Sequence, residues 1–292
     1  MAKKKPSANP SAKRPSRKGR YERILLWGIV ISVVAISLLL WGPFHKGKRP
    51  GERRPQVAAK KQEQPEPPKE IAGVVAIVID DLGQDLKPAQ ELLALPDRVT
   101  LAVLPGLPQS KRIAELARKQ GREVLVHLPM EAKGRGDRRP APGMLRSDMT
   151  PMQFLSAVND DLDSVPGAAG INNHEGSALT ENREAMTFLM SELKTRNLFF
   201  LDSLTTPKST AYDVAKEFGL KAAKRDVFLD NDSDHPSSIR KQFVELAKIA
   251  RQSGRAIGIG HPHPSTLAEL EHWLPQAAEQ GIEVVPVSRL MQ

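Results

Sequence analysis

The segment Val74-Val75-Ala76-Ile77-Val78-Ile79-Asp80-Asp81-Leu82-Gly83 constrains the fold more than any other. An unbroken apolar run, nearly all β-branched, predicts a strand buried on both faces, as in a parallel sheet. In α/β folds the reactive groups collect at the carboxyl ends of such strands. Two adjacent Asp at that point suggest a metal ligand beside a general base, with helix capping as the structural alternative. Successive strand residues face opposite sides of a sheet. Asp80 and Asp81 therefore share a site only if the chain turns between them, and Gly83 is the expected source of that turn.

From Ile71 onward, short apolar runs alternate with helix-like segments. Strands are predicted over 73–79, 99–104, 123–128, 168–172, 198–202, 226–229, 256–260 and 283–287. Helices are predicted near 85–94, 109–120, 151–163, 182–195, 208–218, 237–253 and 265–280. Thr150-Pro151 reads as an N-cap with Pro at the first helical position, and Ser265 or Thr266 as a cap for the last helix. The βα alternation predicts an α/β fold with a parallel sheet and helices outside. Its strand count suits a closed or nearly closed barrel of seven or eight strands, with an open doubly wound sheet as the alternative. No Gly-rich phosphate loop follows the first strand, which argues against a nucleotide site.

The first seventy residues differ in kind. They hold 17 Lys/Arg against 5 Glu, whereas the remainder holds 26 basic against 29 acidic residues. The basic balance of the chain thus belongs to its N-terminus, and the domain carries no electrostatic signature for nucleic acid. Residues 1–23 form a basic segment too polar to fold alone. Residues 24–44 carry no charge and, at ~1.5 Å per residue, reach ~30 Å, the thickness of a bilayer core. Trp27 and Trp41 near its ends suit the interfaces. The expectation is a single-pass signal anchor in the bacterial inner membrane. Residues 45–70, rich in Pro and charge, would be a tether, and a domain over 71–292 would face the periplasm.

Of the seven His, four follow predicted strands: His127, His174, His261 and His263. His45 lies in the tether, His235 in an acidic loop and His272 within the last helix. Each His taken alone is more often a structural residue. Four at one predicted face, with Asp80, Asp81 and Asp202, point to a site. A mixed Asp/His set suits Zn²⁺, Co²⁺, Ni²⁺ or Mn²⁺ rather than Ca²⁺, and the residues do not choose among them; zinc is the working expectation. The chain has no Cys, so a thiolate site and a Cys nucleophile are excluded. Asn172 or Asn173 would hold a ring nitrogen or a substrate amide, unless the pair merely forms a turn. Residues 132–149 are long for a βα loop and contain Lys133, Arg135, Arg138, Arg139 and Arg146. They read either as a lid or anionic-polymer contact, or as a solvated insertion.

The stretches IDDLG, LAVLP, GREVLVHLPME, GINNHEGS, FFLDS, RDVFLD and IGIGHPHP, in that order, resemble the divergent polysaccharide deacetylase family. This is a remote branch of the NodB-like carbohydrate esterases. The resemblance implies a deformed (β/α) barrel of about seven strands and a metal-dependent deacetylase acting on a carbohydrate substrate of the cell envelope. It makes Asp80 the base, Asp81 and His127 metal ligands, and His261 the general acid, with His263 as the alternative. Glu131 stands where ordinary members carry a second metal His, so the third ligand is either His174, which we prefer, or Glu131. Asn172, Asn173, Asp202 and His263 are the expected substrate-binding residues. The missing Arg-Pro-Pro-Tyr stretch and the Glu at position 131 leave two other readings: a non-catalytic domain that binds envelope glycan or protein, and another metal-dependent hydrolase on the same barrel.

Overall fold

The computed structural model describes residues 71–96, 99–134 and 140–292. The expected basic segment, membrane anchor and tether, and Arg135, Arg138 and Arg139, lie outside the described residues. No helix among the described residues is long and apolar enough to cross a membrane.

The described residues form nine strands: β1 (Gly73–Leu82), β2 (Thr100–Val103), β3 (Val124–Met130), β4 (Gly170–Glu175), β5 (Phe199–Asp202), β6 (Ala222–Lys224), β7 (Val227–Phe228), β8 (Arg255–Gly260) and β9 (Ile282–Val284). Seven α-helices connect them: α1 (Lys87–Ala94), α2 (Ser110–Lys119), α3 (Pro151–Ser164), α4 (Arg183–Thr195), α5 (Ala211–Glu217), α6 (Pro236–Ser253) and α7 (Pro264–Glu279). All recorded pairings are parallel, in the order β6-β5-β4-β3-β2-β1-β8-β7. β9 pairs with the start of β1, along the edge that β2 takes over further on.

The sheet is therefore a half-barrel and not the closed or nearly closed barrel expected. β6, which the sequence reading missed, and β7 are the two edges, and no ladder joins them among the described residues. They are consecutive in the chain, separated by Arg225 and Asp226 alone. Asp226 N donates to Ile257 O at 2.9 Å and Arg225 N to Asp202 O at 3.0 Å, so two residues bridge the gap between the edges. The predicted strand over 283–287 is also shorter than expected: its last part turns into a 3-10 helix, Val287–Leu290.

Alternation along β1 sorts its side chains into two layers. Val75, Ile77 and Ile79 pack with the helices, whereas Ala76 and Val78 belong to a smaller inner cluster with Leu125, Leu201, Ile257, Val287 and Leu290. Each buried Val, Leu or Ile side chain contributes about 1.5–3 kcal/mol. The inner face thus begins in apolar packing closed below by the C-terminal turn. At the carboxyl end of β1 the same face continues into Asp80.

Local signals set the helix ends. Thr150 and Gln153 form a reciprocal capping box at α3, with Pro151 at its first position. Gly254, at φ 84°, ends α6 in the left-handed conformation that a side chain disfavours. The expected cap of α7 is different. His263 precedes Pro264 there, while Thr266 Oγ1 donates to Asp230 and Ser265 Oγ to Ser233 O.

Candidate active site

Strict alternation would send Asp81 to the helix side of the sheet. Instead the β1–β2 register slips by one residue between Ile79 and Leu82, and Asp81 adopts φ 56°. A bulge of this kind re-aims one side chain. The turn that lets both carboxylates address one site is made by Asp81 itself, not by Gly83 as expected. A left-handed non-Gly residue costs of order 1–3 kcal/mol and persists where its surroundings enforce it.

Three ligand-type atoms converge beyond the bulge. Asp81 Oδ1 lies 3.2 Å from His127 Nε2 and 2.8 Å from His174 Nδ1, and the two ring nitrogens are 3.1 Å apart. A tetrahedral ion with bonds of ~2.0 Å separates its ligands by about 3.3 Å. Asp81 Oδ1 is buried yet receives no well-formed hydrogen bond. An orphaned carboxylate oxygen facing two imidazole nitrogens is what a divalent transition metal satisfies, so these residues fit the ion expected from the resemblance. Burial pushes the Asp81 carboxyl up, but the His127 and His174 rings outweigh it and hold the group well below the usual carboxylate range.

Asp80 is buried beside this triad. Its Oδ2 lies 3.6 Å from His127 Nε2, and its Oδ1 accepts from Asn172 Nδ2 at 2.8 Å. Burial raises its pKa, against the charges of His127 and His261. For His127, burial disfavours the charged ring, but Asp80 and Asp81 outweigh it, so a metal competes there with a proton.

His261 follows β8 on the other side of the cleft. Its Nδ1 lies 3.0 Å from Asp230 Oδ1, and its Nε2 lies 4.0 Å from Asp81 Oδ2. Asp230 Oδ2 accepts from His261 N at 2.5 Å and from Thr266 Oγ1 at 2.8 Å, so the carboxylate is fixed on both sides. Asp230 lay within a motif of the family resemblance but carries no ligand-like spacing to mark it as His261's partner. Arg225 gave no signal either. Its guanidinium donates to Ser203 O and Leu204 O and stacks 4.8 Å from the Phe228 ring. With Asp80, His127, His174 and His261 it lines an open cleft of about 420 Å³.

The remaining candidates are placed differently. Glu131 does not join the triad: its carboxylate accepts from Ser147 N at 2.7 Å and Ser147 Oγ at 2.6 Å. It anchors the returning end of the 132–149 segment, whose Leu145 bridges to Met130. Three residues expected to bind substrate are engaged within the protein. Asn172 is fully buried and holds a ring nitrogen, His127 Nδ1, at 3.0 Å. Asn173 accepts from Ser203 N and donates to Glu175 O, which braces the left-handed Glu175. Asp202 accepts from Leu204 N and Ser209 Oγ and so builds the turn after β5. His263 stands exposed with its ring 5.9 Å from that of His261. His235 and His272 lie elsewhere, paired with Asp232 and Gln276.

Comparison with known proteins agrees with the fold. The chain is 38% identical over 216 residues to an uncharacterized protein of Haemophilus influenzae, covering 74% of this chain and 76% of that one. It is 40% identical over 201 residues to the uncharacterized protein YibQ of Escherichia coli, covering 69% of this chain but only 62% of that one. The crystal structure of the uncharacterized protein ATU2773 from Agrobacterium tumefaciens superposes with a TM-score of 0.71 at 28% identity, covering 75% of this chain and 89% of that one. Residues 77–291 match the family described as divergent polysaccharide deacetylase, and with most of the domain inside that match the chain belongs to this family.

Proposed function

We propose that this protein is a metal-dependent deacetylase acting on an acetylated carbohydrate of the bacterial cell envelope. The observation that carries the reading is the convergence of Asp81, His127 and His174 between a buried carboxylate, Asp80, and an Asp-backed imidazole, His261. Asp81, His127 and His174 would hold a divalent cation, and that ion would supply Lewis-acid polarisation of an acyl carbonyl and a more acidic water. Asp80 Oδ2 is placed to accept the proton of the attacking water as the new C–O bond forms. His261 Nε2 faces the same space and donates a proton to the sugar nitrogen or oxygen as its bond to the acyl carbon breaks. Asp230 fixes the His261 ring with Nε2 toward the cleft. The uncharged run over 24–44 supports a membrane-anchored protein with this domain in the periplasm.

The test is acetate release by the purified, zinc-loaded full-length protein from N- and O-acetylated glycan fragments, beside Asp80→Asn. Release by the wild type and at least a 100-fold loss in the variant is the expected result. Binding of those fragments with no acetate released would replace this reading by the non-catalytic one.

A further inference from the structure

We infer that Asn172 is a positioning residue that couples the candidate base to a candidate metal ligand through one side-chain amide. The inference rests on the deacetylase reading for its catalytic consequence, but its chemistry stands on geometry alone.

The parallel register of β3 and β4 sets His127 opposite Asn172, so the ring and the amide are neighbours across one ladder. The amide has three contacts: Oδ1 to His127 Nδ1 at 3.0 Å, Nδ2 to Asp80 Oδ1 at 2.8 Å, and Nδ2 to Ser203 Oγ at 3.2 Å. Both N–H groups and the oxygen are thereby used. A carboxylate oxygen only accepts hydrogen bonds, so the amide nitrogen must face Asp80. The amide oxygen must then face His127, and a carbonyl oxygen only accepts. His127 Nδ1 therefore carries the hydrogen, and in the neutral ring the lone pair lies on Nε2, the atom aimed at Asp81 and His174. A partner that fixes the tautomer of a metal-binding His sets its affinity. Here the same group also immobilises Asp80 through Oδ1 and leaves Oδ2 as the oxygen free to act as base.

Substitutions separate the two duties. Asn172→Asp keeps an acceptor for His127 but removes the donor to Asp80. Asn172→Leu, of similar size, removes both. The structure predicts zinc affinity within about 3-fold of wild type for Asn172→Asp, with acetate release down about 100-fold, and zinc affinity down about 10- to 100-fold for Asn172→Leu.

The experiment is a zinc titration of the full-length wild type and both variants against a competing chelator, with acetate release assayed in parallel. It is joined by the nitrogen NMR spectrum of histidine-labelled, zinc-free wild type at a pH where the His127 ring is neutral. A hydrogen on Nδ1, and the split between the two variants, is the expected outcome. A hydrogen on Nε2 overturns the inference without reference to any variant's folding. Wild-type zinc affinity in a folded Asn172→Leu protein, or wild-type turnover in Asn172→Asp, overturns it as well. If the wild type releases no acetate, the deacetylase reading fails while the tautomer and the zinc titration still decide this one.

Discussion

Asp230 Oδ1 lies 3.0 Å from His261 Nδ1, and the same carboxylate accepts the His261 backbone N–H through its other oxygen. One residue thus fixes both the ring and the backbone that carries it. Burial disfavours the His261 imidazolium, but the Asp230 hydrogen bond and charge, helped by Asp80 and Asp81, outweigh it and raise its pKa. A general acid must hold its proton, so the rate falls as the pH rises through that raised value. Asp230→Asn is expected to move this alkaline limb to lower pH, because the charge and hydrogen bond that raise the His261 pKa are lost. A pH profile of kcat/KM checks it, and an unmoved limb would take the acid role away from His261. The pair's contribution to stability has two edges. His261 contributes fully below its ordinary pKa, and this is lost as the pH climbs through its raised folded value. Asp230, held below its ordinary value, contributes above the usual carboxylate range and loses this as the pH falls.

The triad predicts a particular pattern of metal loss. Asp81→Ala, His127→Ala and His174→Ala should each abolish stoichiometric zinc, whereas Glu131→Ala should retain it, because Glu131 holds Ser147 instead. Elemental analysis distinguishes them. Zinc at a hundred times its Kd should add about 2.7 kcal/mol to the stability of the wild type and of Glu131→Ala. His174→Ala should show no such gain. Zinc loss in Glu131→Ala with retention in His174→Ala would reverse the ligand assignment.

Asp161 on α3 is buried, and its Oδ2 has no hydrogen-bond partner among the described residues. Gly143, at φ 71°, packs so closely that a Cβ there would meet Asp161 Oδ1 at 2.1 Å. Burial, with the neighbouring Asp160 charge, pushes the Asp161 carboxyl up to about 7. Because the folded state holds this proton more tightly than the unfolded chain, stability should fall as the pH rises from about 4 to 7. Asp161→Asn should remove that slope and stabilise the protein at neutral pH by on the order of 2 kcal/mol. Urea unfolding at several pH values measures it, and an unchanged slope would refute the assignment.

Arg225 spans the gap between the sheet's edges, and its guanidinium satisfies the carbonyls of Ser203 and Leu204. Arg225→Met keeps much of the stem but leaves those carbonyls without their donor. A loss of about 1–3 kcal/mol follows, together with weaker turnover, because Ser203, Leu204 and Arg225 all line the cleft. Denaturant midpoints compared with acetate release test this. Wild-type values for both would show that the edges are held by other contacts.

The sequence by itself determined the fold class, a parallel α/β sheet with helices outside, and the residue types available at its strand ends. The apolar run of β1, the βα alternation and the Thr150-Pro151 start are local patterns, and local patterns are what strand burial and helix capping respond to. Asp80, Asp81, His127, His174 and His261 were legible because each lies toward or just beyond the carboxyl end of a strand, and parallel strands bring those ends to one face. What only the tertiary structure decided depends on distances between remote segments. Asp80 and Asn172 meet across 92 residues, and His127 and Asn172 across 45. No spacing rule shows that Asn172 and Asn173 act as braces, that Asp230 backs His261, or that Glu131 turns to Ser147. The half-barrel was equally hidden, since β6 and β7 are only three and two residues long. The left-handed bulge at Asp81 is the sharpest case. Sequence placed two carboxylates at the end of a strand, but only packing around His127 and His174 holds one of them in a conformation that its own backbone disfavours.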